Sequence, residues 1–392
     1  MKRFSLIFLG ALAILMAGCS KEVVRDSHNP NEEPWVSDLS LPVPIEFGAS
    51  GFQFETKADK IEKDEALINK QLRLFAFDKY SKVTTEQNDT KSSLFVNEKA
   101  YVNEDCKVVF GDVNESTPKT WYYPYASTYN YNFYAFYTGV EEPVIIKATQ
   151  YTSLFTKIDL NETQSDILWA KATAKTYGII DGFSAKYMRA VKGATDLEDA
   201  EKDEYLPNLE FKHLTTALTF KFKTISSGRN DDTDEQLSNV KVTSLELSNI
   251  PAKINLWIAD DFNSATSKEG TLSVQTGQES SYPVKMNCDT LTQTYPVGTE
   301  QTLGTLFVMV PDGVEEITAN MVVSVPLTSG GKVTDVPVKL TLKNKEEDGK
   351  FKVSSEYTYL IEMKSLEKME FKFTVSGWND GKEGDSEGLV IE

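Results

Sequence analysis

Residues able to do chemistry are scarce in this chain, and their spacing argues against an enzyme. Among 392 residues there are two histidines, His28 and His213, and three cysteines, Cys19, Cys106 and Cys288. A Ser-His-Asp or Cys-His engine needs a base held in place by its neighbours. His28 lies in a polar stretch and His213 in an alternating apolar run, where a lone histidine reads as structural. Zinc needs clustered Cys or His, and no such cluster occurs in the sequence. The run Asn230-Asp231-Asp232-Thr233-Asp234-Glu235 is acidic enough to attract calcium. It lacks the glycine and terminal spacing of a helix–loop–helix calcium site, so it reads as a solvated loop. Asp260 and Asp261 could imitate a glycosidase pair, but with 59 acidic residues in the chain adjacency says little. A glycine-rich phosphate loop is also lacking. The reading is of a protein without catalysis: no catalytic residue, no cofactor and no metal site.

The stretch with the most specific chemistry is the first nineteen residues. Lys2 and Arg3 precede a short apolar run, and Met16-Ala17-Gly18 places small residues directly before Cys19. A spanning helix needs about 20 apolar residues, so this run reads as a secretory signal. Leu15-Met16-Ala17-Gly18-Cys19 resembles a bacterial lipobox, which implies a signal peptide over 1–18, a lipidated Cys19 and a membrane tether through acyl chains. Residues 19–38 then form a flexible, polar tether. The formal charge of −18 becomes −20 when Lys2 and Arg3 leave with the signal, which makes nucleic acid and anionic lipid headgroups poor partners and argues for no nucleic-acid partner. With Cys19 assigned to lipid, Cys106 and Cys288 read as two unpaired thiols.

The elements that must carry the rest read as strands. Leu39, Leu41, Val43, Ile45, Phe47 and Ala49 occupy every second position, which puts them on one face of a strand. Pro42 and Pro44 interrupt the other phase, and because proline cannot donate a ladder hydrogen bond this strand belongs at a sheet edge. Alternating runs at 72–77 and 131–137 suggest a sheet with one wet face. Further strands are predicted at 211–222, 242–247, 306–310, 321–327, 333–342, 357–363 and 369–375, the last with Met369, Phe371, Phe373 and Val375 facing a core. Asp312-Gly313 and Ser329-Gly330-Gly331 suit turns. Many short strands without intervening helices predict an all-β chain of two antiparallel β-sandwich domains, residues 39–206 and 207–392. The acidic stretch 196–204 before the boundary reads as a solvated loop.

Trp121-Tyr122-Tyr123-Pro124 and the aromatic run 131–137 admit two readings, core packing or an exposed platform for stacking sugars. The order of landmarks adds a third observation. Val43-Pro44-Ile45-Glu46-Phe47 leading to Thr56-Lys57-Ala58, then Leu72-Arg73-Leu74-Phe75-Ala76-Phe77, then Trp121 to Pro124 and Tyr131 to Tyr137, resembles the first domain of Bacteroidales fimbrillins. Asp166-Ile167-Leu168-Trp169-Ala170, Leu209-Glu210-Phe211-Lys212-His213-Leu214 and Phe373-Thr374-Val375-Ser376-Gly377-Trp378 are similar to that family's later landmarks.

The resemblance implies a type V pilus subunit: two transthyretin-like sandwiches, exported to the outer membrane as a lipoprotein. It further implies head-to-tail strand exchange with other fimbrial subunits and adhesion to host or bacterial surfaces. In that family an Arg-specific protease removes the first strand, here Leu39, Leu41, Val43, Ile45, Phe47 and Ala49. The vacated edge then offers unpaired backbone groups and an apolar furrow to an incoming strand. This sequence has Lys57-Ala58 where processed subunits carry arginine before alanine. Either a Lys-cleaving protease acts, or the subunit stays uncut as an anchor or accessory component. Beyond Trp378 only Leu389, Val390 and Ile391 are apolar, which makes the tail a weak donor. A surface glycan-binding lipoprotein is the alternative.

Overall fold

The computed structural model describes residues 33–47, 52–54, 67–78, 93–105, 107–115, 117–124, 130–147, 153–175, 182–226, 237–260, 266–277, 283–286, 296–326, 333–344, 349–365, 368–377 and 384–390. Cys19, His28, Ala49, Lys57, Ala58, Cys106, residues 230–235, Asp261, Cys288 and Trp378 lie outside them. The fold is all-β, with four sheets and a few short helices among the described residues.

The widest sheet has seven strands, in the order Phe52–Phe54, Asn208–His213, Leu168–Thr173, Tyr131–Tyr137, Gln71–Asp78, Ser93–Val102 and Val108–Phe110. Every pairing is antiparallel except the first, where Phe52–Phe54 runs parallel to Asn208–His213. The expectation of one wet face fails at the centre of this sheet. Tyr131, Phe133, Tyr134, Ala135 and Phe136 are all buried, because an apolar layer covers each face. Alternation sends Leu72, Leu74, Ala76, Phe133, Leu168 and Phe211 to one core. Phe75, Phe77, Tyr134, Phe136 and Trp169 go to the other.

That second core is closed by a four-stranded sheet in the order Thr271–Val274, Lys253–Ala259, Leu154–Asp159 and Ile145–Lys147. It continues into a sandwich of five and four strands. The five run Gln301–Val308, Thr216–Thr224, Ser355–Ser365, Lys368–Gly377 and Gly384–Val390, and the four run Val284–Lys285, Lys241–Leu247, Glu316–Pro326 and Val333–Lys343. In the register, Phe373 partners Tyr359 and Phe371 partners Ile361. Asp312-Gly313 forms the predicted turn, closed by the Val314 N–H donating to the Pro311 carbonyl at 3.3 Å with Gly313 at φ +83°.

Three sequence boundaries shift. The run 211–222 is two strands, Asn208–His213 in the wide sheet and Thr216–Thr224 in the sandwich. The chain changes sheets at Leu214 and Thr215, and alternation alone cannot show this because apolar positions continue on both sides of the break. For the same reason residue 207 does not separate sheets: 208–213 remains with the first half, and Lys253–Ala259 returns to pair with Leu154–Asp159. The acidic stretch is partly helical, over Asp199–Lys202, started by a reciprocal cap between Glu198 and Glu201.

Candidate functional site

Among the described residues, the outer face of the wide sheet is covered by no other sheet. Its cover is an N-terminal arm, residues 33–47, together with the helix Ala185–Lys192. The helix starts at Ser184, whose hydroxyl accepts from the Tyr187 N–H at 3.2 Å, and buries Tyr187, Met188 and Val191. The strand pattern predicts no helix here, although a serine cap followed by apolar residues one turn apart is a helix signal. Eight residues among so many strands made a weak pattern.

The arm opens with a single turn of helix, Pro34–Ser37, that buries Trp35 and Val36, so the end of the segment predicted as a flexible tether over 19–38 is instead packed on the core, because its two large apolar side chains find a face to cover. It then turns at Asp38, whose carboxylate accepts from the Ser40 N–H and hydroxyl at 2.9 and 2.6 Å. Past this turn the chain is extended, and Val43, Ile45 and Phe47 are buried as the alternation required. Leu39 departs from the predicted face, because the turn leaves it 68% exposed, and Leu41 is half-buried. The extended part is also not an edge strand of any named sheet. It lies across the face, held to 121–123 by one antiparallel bridge: the Ile45 N–H donates to the Trp121 carbonyl at 2.8 Å and the Tyr123 N–H to the Val43 carbonyl at 2.9 Å. The sheet edge is taken instead by Phe52–Phe54, a few residues further on.

Side chains complete the seating. The Phe47 ring is 5.6 Å from Phe133, edge-on, and 5.9 Å from Phe110. From the helix, Arg189 Nη2 donates to the Leu41 carbonyl at 2.7 Å, and Lys192 Nζ meets Glu46 Oε2 at 3.2 Å. At the residues that hold the arm the hydrogen bonding is incomplete. Trp121 Nε1, Tyr123 OH and Arg189 Nε are buried with no hydrogen-bond partner among the described residues, each a cost that a matched neighbour would remove. Burial pushes the Tyr123 hydroxyl well above its usual range, and the nearby Glu46 charge adds to the effect. A cleft of about 580 Å³ remains between arm and helix, walled by Leu39, Leu41, Pro42 and Pro124 with Lys186 and Arg189 as its charged lining.

The aromatic stretch does not present one platform. Tyr122 is 44% exposed and Tyr123 is 3% exposed, while half-buried Trp121 packs at 5.2 Å on Phe95 under Lys119 Nζ, 4.4 Å from its ring. His213 is buried with Nδ1 against the Asp166 carboxylate, which also accepts from the Thr215 hydroxyl. This histidine ties down the chain where it changes sheets. Asp260 is likewise committed, to the Ser153 hydroxyl and to the Lys268 N–H at 2.8 Å.

No family model and no curated protein matches the chain. Among solved structures, a candidate cell adhesion protein from Bacteroides uniformis ATCC 8492 is similar at 14% identity and a TM-score of 0.44, over 87% of this chain and 99% of that one. One from Parabacteroides distasonis ATCC 8503 is similar at 10% identity and a TM-score of 0.42, over 89% and 96%. The fimbrial anchor protein Mfa2 from Porphyromonas gingivalis is similar at 13% identity and a TM-score of 0.32, over 86% of this chain and 98% of that one.

Proposed function

We propose that this chain is a structural or accessory subunit of a cell-surface fimbria, anchored to the outer membrane through Cys19 and supporting adhesion without catalysis. Its N-terminal arm holds the place that a strand from another subunit takes on assembly. One observation carries the reading. The arm covers the outer apolar face of the wide sheet, and the strand directly after it, Phe52–Phe54, forms that sheet's edge. Both are joined to the body through the stretch containing Lys57-Ala58. Removing everything before Ala58 would therefore bare an apolar face and a row of backbone groups on Asn208–His213 together. An extended segment with alternating apolar residues satisfies both. Repeated head to tail, such a contact builds a filament.

The resemblance in the order of sequence landmarks supports the same class, and the pair of transthyretin-like sandwiches belongs to this proposal. The burial of Tyr123 weighs against the glycan-binding alternative. The test is controlled cleavage at Lys57 with the released arm removed. The uncut protein is expected to be monomeric and the armless body to form oligomers, with Lys57→Gln blocking both cleavage and assembly. An armless body that stays monomeric at high concentration overturns the strand-exchange reading.

A further inference from the structure

The arm is attached, among the described residues, at several points along its own length. On the face, Trp35, Val36, Val43, Ile45 and Phe47 are each buried. Along its length it makes the bridge to 121–123, and Phe52–Phe54 adds three register pairs with Asn208–His213. From the side, Arg189 grips the Leu41 carbonyl and Lys192 the Glu46 carboxylate. The helix is itself pinned. Tyr187 OH donates to the Tyr205 carbonyl at 2.9 Å, and Phe183, just before the helix, exchanges backbone hydrogen bonds with Tyr131 of the central strand. At the helix end Gly193 lets Val36 approach so closely that a Cβ there would sit 3.1 Å from Val36 Cγ1. Cutting the chain between residues 54 and 67 removes none of these contacts. It turns these intramolecular contacts into bimolecular ones.

Deepening the reading above, we propose that the arm is a non-covalent ligand of its own sheet: it stays seated after the chain is cut, and the helix Ala185–Lys192 acts as its latch. Cleavage then arms the subunit without opening it. Departure of the arm is a separate step, driven by a competing extended segment with the same alternation. Three residues that hydrogen-bond the arm, Trp121, Tyr123 and Arg189, each keep one buried polar atom without a partner among the described residues, so a segment that paired these atoms would bind more tightly. On this scheme a cut subunit stays closed until its neighbour arrives, which keeps its apolar face from water in the interval.

The experiment replaces Thr56-Lys57-Ala58 with the recognition sequence of a highly specific protease, cuts the purified chain, and follows the N-terminal fragment by size exclusion and native mass spectrometry. At micromolar concentration the fragment is expected to remain with the body, and an excess of a labelled synthetic peptide of residues 33–54 to exchange into it. Arg189→Gln with Lys192→Gln is expected to speed release at least tenfold. Glu46→Gln, which removes one latch contact from the arm side, should speed it by a smaller factor and guards against a helix that fails to fold. Loss of the fragment within the dead time from the unsubstituted chain overturns the proposal, and equal release rates for all variants remove the helix from it. Retention followed by displacement without oligomers sinks the fimbrial reading and leaves this one standing.

Discussion

At Gly270 the fold depends on a missing side chain. The residue sits at φ +67°, and a Cβ there would fall 2.5 Å from Trp169 Cε3. Trp169 cannot step aside, because its indole N–H donates to the Ile258 carbonyl at 2.9 Å and so joins the wide sheet to the four-stranded one. Gly270→Ala therefore combines left-handed backbone strain with overpacking, each costing about 1–3 kcal/mol. A denaturant midpoint unchanged within error would show that the indole relocates freely. The same scale shows how residue chemistry was legible and its partners were not. His213 reads as structural from its surroundings in the sequence, yet Asp166 and Thr215, which hold its strand end in place, come together only by folding. A side-chain type states what a group needs, and the supplier can be anywhere in the chain.

Among the elements, the arm is the one whose pattern and place parted company. Val43, Ile45 and Phe47 alternate as a strand does and are buried as expected, but the segment crosses a sheet face and the edge goes to Phe52–Phe54. Alternation requires only one apolar and one polar side, and a cover meets that requirement as well as an edge strand does. Phe47→Ala should cost about 3–5 kcal/mol if the arm unfolds with the body, the usual range for emptying a buried aromatic site. If the arm instead opens first, global unfolding will hardly move while proteolysis within 33–47 accelerates. The two outcomes are separated by running denaturant unfolding and limited proteolysis on the same variant. The strand Tyr131–Tyr137 shows the converse case. Its bounds are plain in the sequence, and its burial on both sides follows from what packs on each face.

For the whole molecule, the chemistry of the first nineteen residues makes its own prediction. Cys19→Ala should release the protein in soluble form, whereas stable anchoring of the parent chain takes two or more acyl chains. Persistence of the variant with membranes after a carbonate wash would disprove lipid anchoring at Cys19. Composition and alternation sufficed for the all-β class and for most strands of the second half, because both follow from local periodicity and turn chemistry. They could not show that Asn208–His213 stays in the first sheet, that Lys253–Ala259 returns to pair with Leu154–Asp159, or that the wide sheet is covered on both faces. Strand pairing and layer order are decided by contacts between segments tens of residues apart. Those contacts leave the local pattern of each strand unchanged, so only the tertiary structure records them.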